Sequence, residues 1–405
     1  MNRTAHSVSR SLALALALTG LVATCATAFA DDKLQREGRT WVRTENGTLP
    51  TGRSVRVITG VGNVTIDNSG KPFTYTVQKR SVQVREQDAR KQFNALRVSG
   101  SRRGDVSVLE GDWPRSSGVA SGFGADFVVH VPRELDLVLV DTLSGNVTVT
   151  SSFAKLDLGT RGGNIQVDEA GNLVKVRTMG GNITIGHANG DVFIRSGGGD
   201  IRLGQAKGKV EVVSMGGNIL MDRVGSARVR AGGVNIDIHQ SLGDLNINTG
   251  GGGVSLGEVG GSAFVESGGG NIRLGSVRGR VIASTANGNI EMWKVGGGAQ
   301  AQSQAGTIVA EFVGSRDSFS ESYLHTTTGD IVVYLKNGTP ATVQAASEMA
   351  KRPQGIRSEF PELHIVSEGS GYGPKMTYAE GSVNGGGPLL KVRTSVGQID
   401  FRRVK

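Results

Sequence analysis

Between Val138 and Ala310 one short phrase returns at a fixed interval, and that interval constrains the fold more than any other feature of the chain. Gly163-Asn164-Ile165-Gln166-Val167 recurs as Gly181-Asn182-Ile183-Thr184-Ile185, Gly199-Asp200-Ile201-Arg202-Leu203, Gly217-Asn218-Ile219-Leu220-Met221 and Gly270-Asn271-Ile272-Arg273-Leu274. Plainer units, such as Gly190-Asp191-Val192-Phe193-Ile194 and Gly208-Lys209-Val210-Glu211-Val212, lie between them. The two kinds alternate, so the repeat is 18 residues long and made of two units of 9. A period of this size belongs to stacked architectures, where each unit buries its apolar side chains only against its neighbours.

Side chains alternate across a strand, so each unit offers one inward pair with an outward residue between. Pairs such as Ile165/Val167, Ile183/Ile185 and Ile272/Leu274 form one side. Leu156/Leu158, Val174/Val176 and Val192/Ile194 form the other. The pattern predicts an all-β fold: a β-solenoid, parallel β-helix or roll-like, with 18-residue rungs built from paired 9-residue strand-turn units. Glycine, 62 of 405 residues, precedes apolar alternation and so reads as turn chemistry.

Two further columns keep the period. Thr142, Thr160, Thr178, Ser196 and Ser214 place small hydroxyls at one corner, where they can bond the turn backbone. Asn146, Asn164, Asn182, Asp200, Asn218, Asn271 and Asn289 form a second ladder, whose side chains can tie one rung to the next. The count fails at residues 225–243, where one residue lost and then an insertion predict a bulge or kink.

The chain divides around this array. Residues 1–30 have the form of a signal peptide: Arg3 and Arg10, the apolar run Leu12 to Leu18, and Ala28-Phe29-Ala30 before Asp31-Asp32. The sole cysteine, Cys25, follows Thr24, a poor lipoprotein cleavage box. Export without lipidation is therefore the expectation, to periplasm, outer membrane or cell surface, with no transmembrane segment in the mature chain. Cleavage after Ala30 lowers the net charge from +9 to +7. Residues 31–137 predict a β-rich cap and first coils, with one short helix at Glu86 to Leu96 and a loop at Glu110 to Gly124. Residues 138–343 are the regular solenoid. Residues 344–405 form a C-terminal insertion or cap, with a helical turn at Ala345 to Ala350, and end in one last repeat pair.

The export signal, the Gly-Asn-Ile coils and the closing Gly386-Gly387-Pro388-Leu389-Leu390-Lys391-Val392-Arg393-Thr394 segment resemble the bacterial "putative adhesin" domain-of-unknown-function family. The resemblance implies a β-solenoid in the cell envelope, acting in adhesion or envelope stress. It implies no catalytic residues.

Functional residues must then lie on the surface. No catalytic, cofactor-binding or metal-binding residue stands out. Asp200 and Asp330 directly follow glycine and occupy the asparagine column, unlike the ligands of calcium-binding nonapeptides. His130, His187, His239, His325 and His364 lack ligand spacing, and His187 falls in a turn. Gly250 to Gly253 precedes a strand, so no helix N-terminus awaits a phosphate. The outward columns are Thr148, Gln166, Thr184, Arg202, Leu220, Asn235, Ser255, Arg273, Glu291 and Asp157, Lys175, Phe193, Glu211, Arg228, Asn246, Phe264, Ile282. Glu211 and Arg228 are expected to pair. Phe193, Phe264 and Ile282 are expected to lie under a cap or loop.

Two basic groups remain: Arg195, Arg202, Lys207, Lys209, Arg223, Arg228 and Arg230, and then Arg273, Arg278 and Arg280. They are candidates for contact with anionic envelope polymer such as lipopolysaccharide or peptidoglycan, beside the plainer reading as solubilising charge. Nucleic acid is not an expected partner. The leading expectation is a non-enzymatic exported scaffold. The alternatives are a polysaccharide-active β-helix enzyme and an envelope-stress regulator working through a protein partner.

Overall fold

The computed structural model describes residues 29–30, 34–68, 70, 73–113, 122–349, 354–368 and 376–404. The expected targeting segment and Cys25 lie outside them, apart from Phe29–Ala30, which pairs with Glu45 and Asn46. No helix among the described residues is long and apolar enough to cross a membrane.

Each 18-residue rung contributes one strand to each of two parallel sheets. The first sheet stacks Leu137–Thr142, Lys155–Thr160, Val174–Thr178 and Val192–Ser196. The second stacks Val147–Ser152, Ile165–Ala170 and Ile183–Ala188. Two longer strands, Ile201–Ser214 and Ile219–Ala231, run unbroken from the second sheet into the first. Beyond them both sheets continue in the same alternation to Ser322–Thr328 and Ile331–Leu335. The rung is therefore two-sided, a question the period alone leaves open.

The inward pairs of both sheets meet in one continuous core: Ile165, Val167, Ile183, Ile185, Val174 and Val176 are all fully buried. A third buried position ends the second-sheet strands, filled by Ala170, Ala188, Ala206, Val224, Val259, Val277 and Val295. The first-sheet strands likewise end in a third buried residue, a hydroxyl such as Thr160, Thr178 or Ser196, so the expectation of two inward residues per strand falls one short in both sheets.

The break at 225–243 is simpler than the count suggests. Ala206 pairs with Val224, and Lys209 pairs with Ser226, so one residue is lost at the link between the sheets. The spacing of 18 resumes at Ala227 and Leu245 with no insertion. The shift also corrects an outward column, because Leu220 stands opposite Asp237, not Asn235.

Both ends of the array depart from chain order. The first complete rung is Ser54–Thr59 with Asn63–Asp67, and it pairs directly with the rung at 137–149. Residues between them pass outward, and Val106–Asp112 and Phe123–His130 cover the other side of that rung. The C-terminal end mirrors this. Leu389–Val396 and Ile399–Arg403 pair with Ser322–Thr328 and Ile331–Leu335. Ala341–Met349 and Ile356–Ser358, earlier in the chain, lie outside them. Antiparallel strands finish both ends, Thr40–Thr48 with Thr74–Ser81 and Met376–Val383 with His364–Glu368.

The helix Glu86–Ala95 packs Ala89 and Phe93 into the N-terminal cap. The loop expected at 110–124 gives up both flanks, since Glu110 to Asp112 and Phe123 to Gly124 are strand, and 114–121 lie outside the described residues. The helical turn expected at Ala345 to Ala350 is instead strand through Met349, with Ala350 outside the described residues. Strand partners on both sides override the local helical preference of alanine there.

Candidate functional site

The column residues first show what holds the scaffold. The Asn146 Oδ1 accepts the N–H of Asn164, Asn164 accepts that of Asn182, and Asn182 that of Asp200, each at 2.8 Å. Asp200 continues to Asn218 at 2.9 Å, and Asn271 to Asn289 at 2.9 Å. Only the side-chain oxygen is used, which explains why aspartate substitutes freely for asparagine here. Thr160 donates to Gly145 O at 3.0 Å and Thr178 to Gly163 O at 3.1 Å, bonding the turn of the preceding rung. Ser196 and Ser214 donate within their own turns, to Gly198 O and Gly216 O. Asn164→Ala is expected to cost about 0.5–1.5 kcal/mol and Asn164→Asp, whose ladder neighbours Asn146 and Asn182 are neutral, almost nothing, measured by urea unfolding.

The structure splits the basic residues that the sequence groups together. Arg195, Lys209, Arg228, Arg230 and Arg280 belong to the first sheet. Arg202, Arg223 and Arg273 belong to the second, while Lys207 and Arg278 sit where the chain passes from the second sheet to the first. Arg273 is engaged with Glu291 at 3.0 Å, and that hydrogen bond holds its pKa above the ordinary value.

What the structure assembles is a patch on the outer face of the first sheet. Phe193 stands between Lys175 and Glu211, and Arg195 between Arg177 and Val213. One rung further come Arg228 and Arg230. Lys175, Arg177, Phe193, Arg195, Glu211 and Val213 border a hollow of about 390 Å³. Arg177 is tied to Asp157 at 3.0 Å and Asp141 at 3.7 Å, and Arg56 reaches Asp141 at 3.4 Å. Arg195, Arg228 and Arg230 have no acidic partner within ion-pair distance among the described residues, and all are exposed. Glu211 and Arg228 stand in register without forming a close ion pair. Arg177 directly opposite Arg195 sets like charges against each other, and Asp141 and Asp157 offset the charge of Arg177. Lys175 and Arg177 were legible in principle, since each lies 18 residues before Phe193 or Arg195.

Further along this face the character changes. Asn248, Glu266, Gln302 and His325 border a hollow of about 560 Å³, with Asn248 Nδ2 donating to Glu266 at 2.7 Å. Phe264 and Ile282 stack in register and are half-buried by their neighbours. The terminal excursions extend the array at its ends, so the cap expected over these apolar residues is not formed by them.

Asp157, Glu211 and Glu266 follow one another at intervals of three rungs, on the order of 14 Å each, too far apart for paired carboxylate catalysis. Asp141 and Asp157 come closer, and both are committed to Arg177. Among the described residues no group of three or more His, Cys, Asp or Glu is placed to hold a metal ion. His187 lies in the strand Ile183–Ala188, not in a turn, exposed between Glu169 and Gln205.

No curated protein matches the chain. Among solved structures, one described as a putative adhesin from Bacteroides fragilis shares 15% identity, covering 73% of this chain and 96% of its own, with a TM-score of 0.21. One described as a putative cell adhesion protein from Clostridium sporogenes shares 9% identity over 90% of this chain and 100% of its own, with a TM-score of 0.18. One described as a putative lipid binding protein from Parabacteroides distasonis shares 13% identity over 73% of this chain and 96% of its own, with a TM-score of 0.25. Residues 56–249 match the family Toastrack DUF4097. That segment begins in the first rung and takes in the cationic patch, and over it the chain is similar to the bacterial "putative adhesin" family of domains of unknown function.

Proposed function

We propose that this protein is a non-enzymatic, exported scaffold that contacts anionic material of the cell envelope through the outer face of its first sheet. The observation that carries the reading is the patch around Phe193, where Arg195, Arg228 and Arg230 are exposed without acidic partners among the described residues on the outer face of a parallel sheet. Export is inferred from Arg3, Arg10, the Leu12 to Leu18 run and Ala28-Phe29-Ala30. The match to an adhesin-type family and the engagement of Asp141 and Asp157 by Arg177 favour binding over catalysis.

Binding of the purified protein to isolated lipopolysaccharide and peptidoglycan, at rising salt, tests this. Affinity is expected at low salt and should fade as the Debye length shrinks toward about 8 Å at physiological ionic strength. The double change Arg195→Glu with Arg228→Glu should weaken low-salt binding by roughly tenfold or more. Absence of binding at low salt, or equal binding by the charge-reversed variant, would overturn the reading.

A further inference from the structure

The turns leaving the first sheet carry a row that neither sheet face shows. The residue after the hydroxyl column is Leu143, Arg161, Met179, Gly197 and Met215 in five successive rungs. These turns remain stacked, since the Met179 N–H donates to Arg161 O at 3.2 Å and the Met215 N–H to Ser196 O at 3.1 Å. Leu143 is 50% exposed, Met179 69% and Met215 79%. Alternate rungs set them about 10 Å apart, making a ridge on the order of 20 Å long. Gly60 continues the row at its N-terminal end, where a Cβ would lie 3.8 Å from Trp113 Cβ and 4.0 Å from Leu143 Cδ1. Single exposed apolar residues need no explanation, but a row of them at every second rung is a surface feature.

Charge supplies the second observation. Two residues before the ridge, in the same rungs, the first sheet presents Asp141, Gly159, Arg177, Arg195 and Val213, followed by Arg230. Arg161 stands within the ridge itself. Asp141 is the acid of this strip, and Arg56 and Arg177 neutralise it. The edge thus alternates flexible apolar tips with arginines and, among the described residues, offers no free acid. An anionic bilayer surface complements both halves: apolar tips enter the headgroup boundary while guanidinium groups meet phosphate oxygens. A soluble glycan would use the arginines and leave the ridge in water. A ridge this narrow also falls short of the area a stable protein interface buries.

We infer that this edge docks the protein on an anionic lipid surface, with Leu143, Met179 and Met215 entering the headgroup region between Arg161, Arg177, Arg195 and Arg230. The inference rests on the cationic-face reading above, because it shares three of the arginines.

Co-sedimentation of the full chain with phosphatidylcholine vesicles, with and without phosphatidylglycerol, tests it. Dextran sulfate serves as a soluble anionic polymer without an apolar phase. Wild type should bind the anionic vesicles and dextran sulfate, and the zwitterionic vesicles far less. The triple change Leu143→Ser, Met179→Ser, Met215→Ser should lower vesicle binding by about tenfold or more and leave dextran sulfate binding unchanged. Arg195→Gln and Arg230→Gln should each lower binding to both by about fivefold. The serine variant removes only exposed side chains, and an unchanged thermal melt confirms that it folds. Vesicle binding undiminished in the serine variant, or wild type binding dextran sulfate but not vesicles, overturns this inference and leaves the cationic face standing. Failure to bind either sinks both.

Discussion

Lys79→Ala is expected to destabilise the N-terminal cap by about 3–5 kcal/mol, the cost of breaking a buried ion pair from one side. Lys79 is almost wholly buried, and burial pushes its pKa below the ordinary lysine value, partly offset by Glu45. Its Nζ reaches Glu45 at 2.7 Å and donates to Phe93 O at 3.1 Å and Leu96 O at 2.7 Å. It therefore joins the cap sheet to the C-terminal end of the helix, whose last carbonyls need partners. Removing it strands those carbonyls and leaves Glu45 with Arg43 alone, at 3.0 Å. Stacked arrays unfold as coupled local units, so urea unfolding followed by tryptophan fluorescence should show a cap transition moved to lower urea, with the array transition retained. Lys79→Met combined with Glu45→Leu should recover part of the loss, because no buried carboxylate is left without its lysine, while Arg43 loses its acid and keeps only its hydrogen bond to Asn94 at 2.9 Å. Equal midpoints for Lys79→Ala and wild type would show that the pair contributes nothing.

Gly181→Ala should be as damaging, in the array and for a different reason. Strands of neighbouring rungs approach so closely at this turn that an added Cβ is driven into the carbonyl of Gly163 in the rung before. The obstacle is backbone on both sides, so relief requires moving a rung, at a cost of at least about 3 kcal/mol. Gly162→Ala is the matched control. A Cβ there meets nothing within 4 Å, and its effect should stay within about 0.5 kcal/mol. Thermal melts of the two variants should therefore diverge although they lie within one repeat of each other. Between Gly145 and Gly306 this column is glycine except for Val234, in the rung that follows the lost residue.

The contrast between these sites shows what a repeat makes readable. Gly181, Asn182 and Ile183 are legible because each role recurs with the period, and strand alternation fixes which way each side chain points. The number of faces is not, because a period of 18 suits any rung of that length. The Lys79 pair is also illegible: Glu45 and Lys79 lie in separate strands of an irregular cap, with no repeat to align them. For the candidate patch, sequence proximity misleads. Arg195 and Arg202 are 7 residues apart yet project from opposite sheets, whereas Arg177 and Arg195 are 18 apart and adjacent. One residue missing between Val224 and Ser226 shortens the spacing to 17, so that Asp237, not Asn235, stands opposite Leu220. The edge ridge escapes a reading that follows only inward and outward columns, since turn residues belong to neither.

The order of rungs at the C-terminal end has a consequence for how the molecule is made. Ala341–Met349 emerges from the ribosome about 40 residues before its parallel partner Leu389–Val396. Until residues 389–403 arrive, the outer strands have no platform, and the edges of Ser322–Thr328 and Ile331–Leu335 stay open. The closing rung thus works as a keystone. Unlike a solenoid whose coils simply accumulate, this one is sealed by strands made later than the outer strands they hold, so a copy lacking residues 389–403 carries a raw strand edge.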